Sequence, residues 1–274
     1  MGRDARLVLL AKTARTFCYG FLGVLLPVYL TDLGLDARGV GMAVTLTLLA
    51  STAMTFAIRW PAERFGPRLA LVGQSALIVV SALLFLATRQ PWLVVVAAMI
   101  GNLAVSTGET GPFLALEQVI VTRATGRAHL TMALAFYNLA GYAAAGLGAA
   151  AVTRAGAAPR SLFTLFLVSG LVQIAAYSLL SSERPPSMDG RSAAGMPSRP
   201  FVRRIAAIFA LDSFAGGFVV QSLIAYWFHT RFDLGLAELG WIFFGVQILS
   251  GLSLILAARL APRLGLVNTM ISPT

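Results

Sequence analysis

Eight apolar segments, most of them near the length a helix needs to cross a bilayer, run through this 274-residue chain. Some 30 Å of hydrocarbon takes about 20 helical residues. The segments lie at about 16–30, 40–58, 69–87, 92–121, 130–152, 162–180, 205–228 and 239–258, and a ninth begins at 264. Backbone in hydrocarbon has no water to bond to, so each segment must satisfy its own amides and carbonyls as a helix. The composition agrees. Apolar residues make up 58 % and charged residues 12 %, where soluble domains carry roughly 45–50 % and about 25 %. The mean hydropathy is +0.81. The chain therefore reads as an all-α, polytopic membrane bundle. Disorder is excluded by the apolar content, and collagen by the lack of a glycine period.

The net charge of +10 would suggest nucleic acid in a soluble protein. Here the basic residues sit between apolar segments, and the bias of cytoplasmic loops toward Lys and Arg explains them better. Numbering the loops alternately puts sixteen of the 21 basic residues on one side, from Arg3, Arg6, Lys12 and Arg15 to Arg259 and Arg263. The other side holds Arg38, Arg89, Arg154, Arg160 and Arg231. The N-terminus is therefore expected in the cytoplasm, and after eight helices the C-terminus as well. The basic start is not a cleaved signal, because Pro27 and a charged turn at 32–38 follow with no small-residue cleavage pattern. Cys18 is the lone cysteine and reads as a small apolar residue.

Two acids stand inside apolar segments. Glu109 lies mid-way through the long fourth segment, which is either one tilted helix or a helix broken near Gly111-Pro112. An intramembrane carboxylate is expensive and faces a bundle interior or a polar cavity. It could exchange a proton, or serve as a structural acid satisfied by a neighbouring helix. Asp212 lies roughly 12 Å into the seventh segment, at 1.5 Å per residue. It could bind a proton or cation, or pair at the cytoplasmic end. Tyr142 and Gln221 are weaker cavity candidates, while Asn102, Asn138 and Gln173 read as inter-helix bonds. Gly141, Gly146 and Gly148 read as close packing. His129 and His229 fall on opposite sides, which excludes a metal site between them. No phosphate-binding G-x-x-x-x-G-K-[ST] loop and no G-x-S-x-G elbow occur. The chain is expected to be no enzyme and to need no cofactor.

A stretch at 181–204 holds Pro185, Pro186, Pro197 and Pro200 and reads as a linker. It divides the chain into a six-helix bundle over 1–181, a cytoplasmic linker over 182–204, and the start of a second bundle over 205–274. An internal repeat fits this division. Arg59-Trp60-Pro61-Ala62-Glu63-Arg64-Phe65-Gly66 follows the second segment, and Arg259-Leu260-Ala261-Pro262-Arg263-Leu264-Gly265 follows the eighth.

On these residues the sequence resembles the major facilitator superfamily. That family's signature loop follows its second helix, and Arg59, Pro61, Glu63, Arg64, Gly66 and Arg68 stand at its positions here. Leu260, Arg263 and Gly265 match in the second copy. The resemblance implies one complete six-helix half plus about two helices of the second, with the C-terminal part cut short. It implies a secondary active transporter in the cell inner membrane, with a small-molecule substrate, protons as coupling ions, and efflux as one direction. It also implies that Glu117 reaches Arg64 as a gating pair, with Glu63, Arg68 and Arg263 in the same gate. An ordinary interfacial acid beside Arg123 is the competing reading of Glu117. The alternative function is a non-transporting remnant that assembles with another membrane chain.

Overall fold

The computed structural model describes residues 2–103, 111–125, 130–155, 159–181, 199–216 and 220–264. These form eleven α-helices, with no strand among the described residues. α1 (Arg3–Asp32), α2 (Ala37–Ala57), α3 (Arg59–Phe65) and α4 (Pro67–Ala87) come first. α5 (Pro91–Ile100), α6 (Pro112–Ala124), α7 (Leu130–Ala155) and α8 (Pro159–Ser178) follow. α9 (Arg199–Gly216), α10 (Gln221–Phe232) and α11 (Leu236–Leu264) complete the described chain. Among the described residues six helices are long and apolar enough to cross a membrane, counting Ala37–Phe65 as one. The other two apolar segments are those the fold interrupts, as α5/α6 and α9/α10. The polytopic helical bundle expected from the hydropathy is present.

α1 is the hub. Its middle turns are apolar on every side, and Cys18 through Val28 are all buried. A helix of this kind can only sit among other helices. It packs on α7 and α8 and touches α6, α10 and α11. Glycines set the closest approach. A Cβ on Gly20 would collide with the Ala145 carbonyl, and one on Gly148 with the Phe17 carbonyl. Small residues let helix backbones approach where no hydrophobic force draws them together. α11 closes on the other flank of α7, where Gly240 faces the Ala149 carbonyl. α4 lies against α8 through Gly170 and an aromatic stack of Phe85 on Phe163, 4.8 Å between centroids. Large apolar side chains such as Leu83, Leu171, Leu249 and Leu252 point outward, as a lipid-facing surface requires.

Two expectations are corrected, and one of two open readings of the fourth segment is met. The first helix begins at Arg3, not near Thr16, so Lys12 and Arg15 are helical and buried rather than loop residues. Their charges are tolerated because polar partners surround them. The basic asymmetry of the turns survives without these two. The long fourth segment is broken: α6 starts at Pro112 behind Gly111, whose φ of +120° and ψ of −170° no helix contains. Asn102, just beyond α5, is left-handed at φ +49°, and its side chain abuts Gly111. Finally, α9 starts at Arg199, inside the stretch read as linker.

Candidate functional site

The polar centre of the bundle is built by four helices. α1 contributes Arg15, α6 Glu117, α7 Tyr137, and α8 Gln173 and Tyr177. Arg15 and Glu117 are both fully buried, at 0 % exposed. They meet as a two-pronged pair: Arg15 Nη2 donates to Glu117 Oε2 at 2.7 Å, and Nη1 to Oε1 at 3.1 Å. Tyr137 donates its hydroxyl to Oε2 at 2.5 Å, and Tyr177 donates to Oε1. Both carboxylate oxygens thus accept twice. Arg15 Nη1 also reaches the Tyr177 hydroxyl at 2.8 Å and Gln173 Oε1 at 3.4 Å. Gln173 in turn donates to Ser169. The guanidinium plane lies 4.1 Å over the Phe113 ring, and Phe113 stacks on Tyr177.

This arrangement meets the condition for burying charge. A desolvated ion costs several kcal/mol unless geometry and additional hydrogen bonds offset the loss. Arg suits the task because its planar fork matches a carboxylate, which a lysine ammonium cannot do. Lys12, one turn earlier, is 2 % exposed and holds its ammonium 3.6 Å over the Tyr137 ring. Its stem runs against Gly141, where a Cβ would stand 2.6 Å from Cε. That contact gives Gly141 its place.

The expected gating pair is not formed. Glu117 binds Arg15, while Arg64 lies exposed with its guanidinium 5.4 Å over the Trp60 ring. Glu63 is also exposed and pairs with Arg59 at 2.7 Å, one turn back on the same short helix. Arg68 lines a cavity with Arg123. Gln221 is buried at the start of α10, where the neighbouring Ser222 donates to the Gly23 carbonyl of α1 at 3.0 Å. Tyr142 is half-buried on α7, at the approach of Gly251 from α11. Glu109 and His129 lie outside the described residues. Asp212 and Arg263 belong to α9 and α11, but their side chains lie outside what the structure describes.

Sequence reasoning missed Lys12, Arg15, Tyr137 and Tyr177 as a set. Signals were present. Lys12, Arg15 and Tyr19 follow i, i+3, i+7 spacing, which puts them on one helix face. Ser169, Gln173 and Tyr177 recur every fourth residue along the C-terminal half of α8. Which stripes meet is a tertiary fact, set by the α1–α7 and α1–α8 packing.

An all-helical membrane bundle with a buried ionic centre and a duplicated basic turn defines a class: polytopic carriers built from helical repeats. The family model "Major Facilitator Superfamily" matches residues 8–272, and the chain belongs to that family. It is also similar to the "Uncharacterized membrane protein YJR124C" of Saccharomyces cerevisiae, at 23 % identity over 314 aligned positions. That alignment covers 98 % of this chain and 70 % of the yeast protein. The chain is thus a multi-pass membrane protein of a transporter family.

Proposed function

We propose that the chain acts as a proton-coupled secondary carrier of a small molecule in the cell inner membrane, with both ends of the described bundle's chain in the cytoplasm. The observation that carries this reading is the Arg15–Glu117 pair. Intramembrane charges mark the pathways and moving parts of transporters far more often than inert packing. The pair ties α1, α6, α7 and α8 into one body, which can then rock against the part that begins at α9. In this reading protons load at Glu109 or Asp212, and Tyr142 and Gln221 line the substrate route. Glu63, Arg64, Arg68 and Arg263 gate the two duplicated turns. The net charge of the cavity changes on protonation, and reorientation becomes permissible once the acid is neutral.

The test is uphill uptake and efflux in membrane vesicles carrying an imposed pH gradient, run over a panel of sugars, amino acids and amphiphilic cations. Wild type should accumulate or expel at least one of these against its gradient. Glu109→Gln should abolish the uphill component and leave membrane insertion intact. Normal uphill transport by that variant removes Glu109 from the mechanism. No gradient-driven flux of any solute by wild type would favour the assembly role instead.

A further inference from the structure

Asn102, at the break in the fourth apolar segment, is buried with its carbonyl oxygen unsatisfied. The residue is 2 % exposed, and among the described residues its Oδ1 accepts no hydrogen bond. The inter-helix bond expected of it is therefore not made by that atom. The amides beside it are all bonded. Those of Gly101, Asn102 and Leu103 donate to the carbonyls of Ala97, Met99 and Ala98, at 2.9, 3.2 and 3.3 Å. Tyr19 of α1 donates to the Gly101 carbonyl at 3.5 Å, and Ser81 of α4 to the Ala97 carbonyl at 2.6 Å. The end of α5 is thus closed and pinned from two sides, and the Asn102 carboxamide is left over. A buried acceptor without a donor is costly, and native folds keep few of them.

The carboxamide faces the start of α6. A Cβ built on Gly111 would stand 2.8 Å from Asn102 Nδ2, 3.2 Å from the Ser51 hydroxyl of α2 and 3.4 Å from Asn102 Oδ1. These polar atoms flank the bare face of Gly111, which has no side chain with which to cap the helix. Pro112 and Phe113 are buried, so this helix end lies inside the bundle. The amides of Phe113 and Leu114, in its first turn, have no intrahelical carbonyl to reach. The place is deep in the membrane. From Pro91 to Asn102 the chain climbs about 16 Å at 1.5 Å per residue, half of some 30 Å of hydrocarbon. Backbone that leaves the helix at such depth is tolerated where it is buried in protein or lines a polar cavity. Broken helices near the midplane are also where carriers hold small solutes.

The geometry points to a subsite, made by the Asn102 carboxamide, the Ser51 hydroxyl and the N-terminus of α6, that binds a hydroxyl group of an uncharged polyol or monosaccharide. A hydroxyl donates and accepts at one oxygen, so it answers both deficits. Its hydrogen goes to Asn102 Oδ1, and its lone pairs take the donors of Ser51, Asn102 Nδ2 or the α6 amides. A carboxylate has no hydrogen for Oδ1, and an ammonium has no lone pair for the amides. Water offers the same chemistry and is the competing source of the hydroxyl. That the bound solute is a transported one rests on the carrier reading; the binding itself needs no gradient.

Saturation-transfer NMR on the full chain in phosphatidylcholine nanodiscs tests it, with glycerol, myo-inositol and D-glucose as probes and L-alanine as a zwitterionic control. Wild type should transfer signal to at least one hydroxylated probe and not to L-alanine. Asn102→Gly removes the carboxamide and keeps the left-handed backbone; it should lower the signal at least about five-fold. Ser51→Ala should weaken it as well, and Ser51→Thr, which keeps the hydroxyl, should retain most of it. Thr45→Ala, an exposed position on the same helix, should change nothing. The proposal is overturned if wild type binds none of the three hydroxylated probes, which leaves the place to water, or if it binds L-alanine alone. It is equally overturned if Asn102→Gly binds as wild type does. Uphill flux of a charged solute without hydroxyl binding would sink the subsite and spare the carrier reading. Hydroxyl binding without any gradient-driven flux would do the reverse.

Discussion

Glu117 is the residue on which most of the bundle's polar bonds converge, so it is where a single atom change should cost most. Glu117→Gln replaces an acceptor oxygen by an amide that points donors at Arg15 or at a tyrosine hydroxyl. Leaving a buried guanidinium without its carboxylate costs about 3 kcal/mol or more. At this chain length the melting temperature should fall by roughly 6–12 °C. Thermal unfolding in detergent, followed by tryptophan fluorescence, reads it. Pairing Glu117→Gln with Arg15→Gln should recover part of the loss, a coupling of about 1–3 kcal/mol. The cycle of Glu117→Gln with Arg64→Gln should show none, because Arg64 lies on the surface over Trp60. That contrast also marks what the sequence could reveal. Glu117 was legible as an acid of consequence only through the family resemblance, which made it a gating residue. Its partner was not legible. Arg15 lies 102 residues away and looked like one more basic residue ahead of a span. Nothing local distinguishes an arginine in a loop from one drawn into a helix by a distant carboxylate.

Between elements, the decisive quantity is the distance of closest approach. Gly148 lets α7 lie on the Phe17 carbonyl of α1. Gly148→Val should therefore separate the two helices at a cost of about 1–3 kcal/mol, read as a lower melting point and faster proteolysis. Gly73→Ala on α4 meets nothing within 4 Å and should stabilise by up to about 1 kcal/mol through helix propensity alone. The small-residue stripe of α7 was visible in the sequence for this reason: its run of Ala and Gly serves no purpose except proximity. Helix boundaries inside the fourth segment were harder to see. The segment 92–121 is apolar at both ends and polar in its middle, and the backbone leaves the helix at Gly101–Leu103 and again at Gly111. Gly111-Pro112 announced the break, whereas Asn102, left-handed with its side chain against Gly111, was not foreseen.

At the scale of the molecule, the ends of the helices sort the chain into two surfaces. The cavity around Arg68 and Arg123 gathers the starts of α1 and α4 and the ends of α6 and α8. The end of α1, the end of α4 and the start of α8 meet at the opposite pole through Tyr29, Phe85 and Phe163. A Cys18→Ser background with single cysteines at Arg64 or Arg89 should label from opposite sides with a membrane-impermeant maleimide, and position 64 should be protected in intact cells. Labelling of both from outside would overturn the orientation read from the basic turns. The polytopic helical bundle was accessible from hydropathy because lipid imposes it one segment at a time; the hub position of α1 was not, since it arises from several partners at once. That position has a consequence for how the protein is made. Arg15 leaves the ribosome 102 residues ahead of Glu117, an interval of about 5–20 s at ordinary rates of synthesis. During that time the first helix carries Lys12 and Arg15 toward the bilayer before their carboxylate exists. The arginine can reach back to the headgroups from near the helix start, so α1 must enter shallow and sink to its final depth only after α6 has emerged. Assembly of the bundle is therefore ordered in time by one acid, and in a Cys18→Ser background a cysteine at position 12 should be open to a membrane-impermeant maleimide from the cytoplasmic side on a ribosome stalled before residue 117 and closed to it on one stalled after α8.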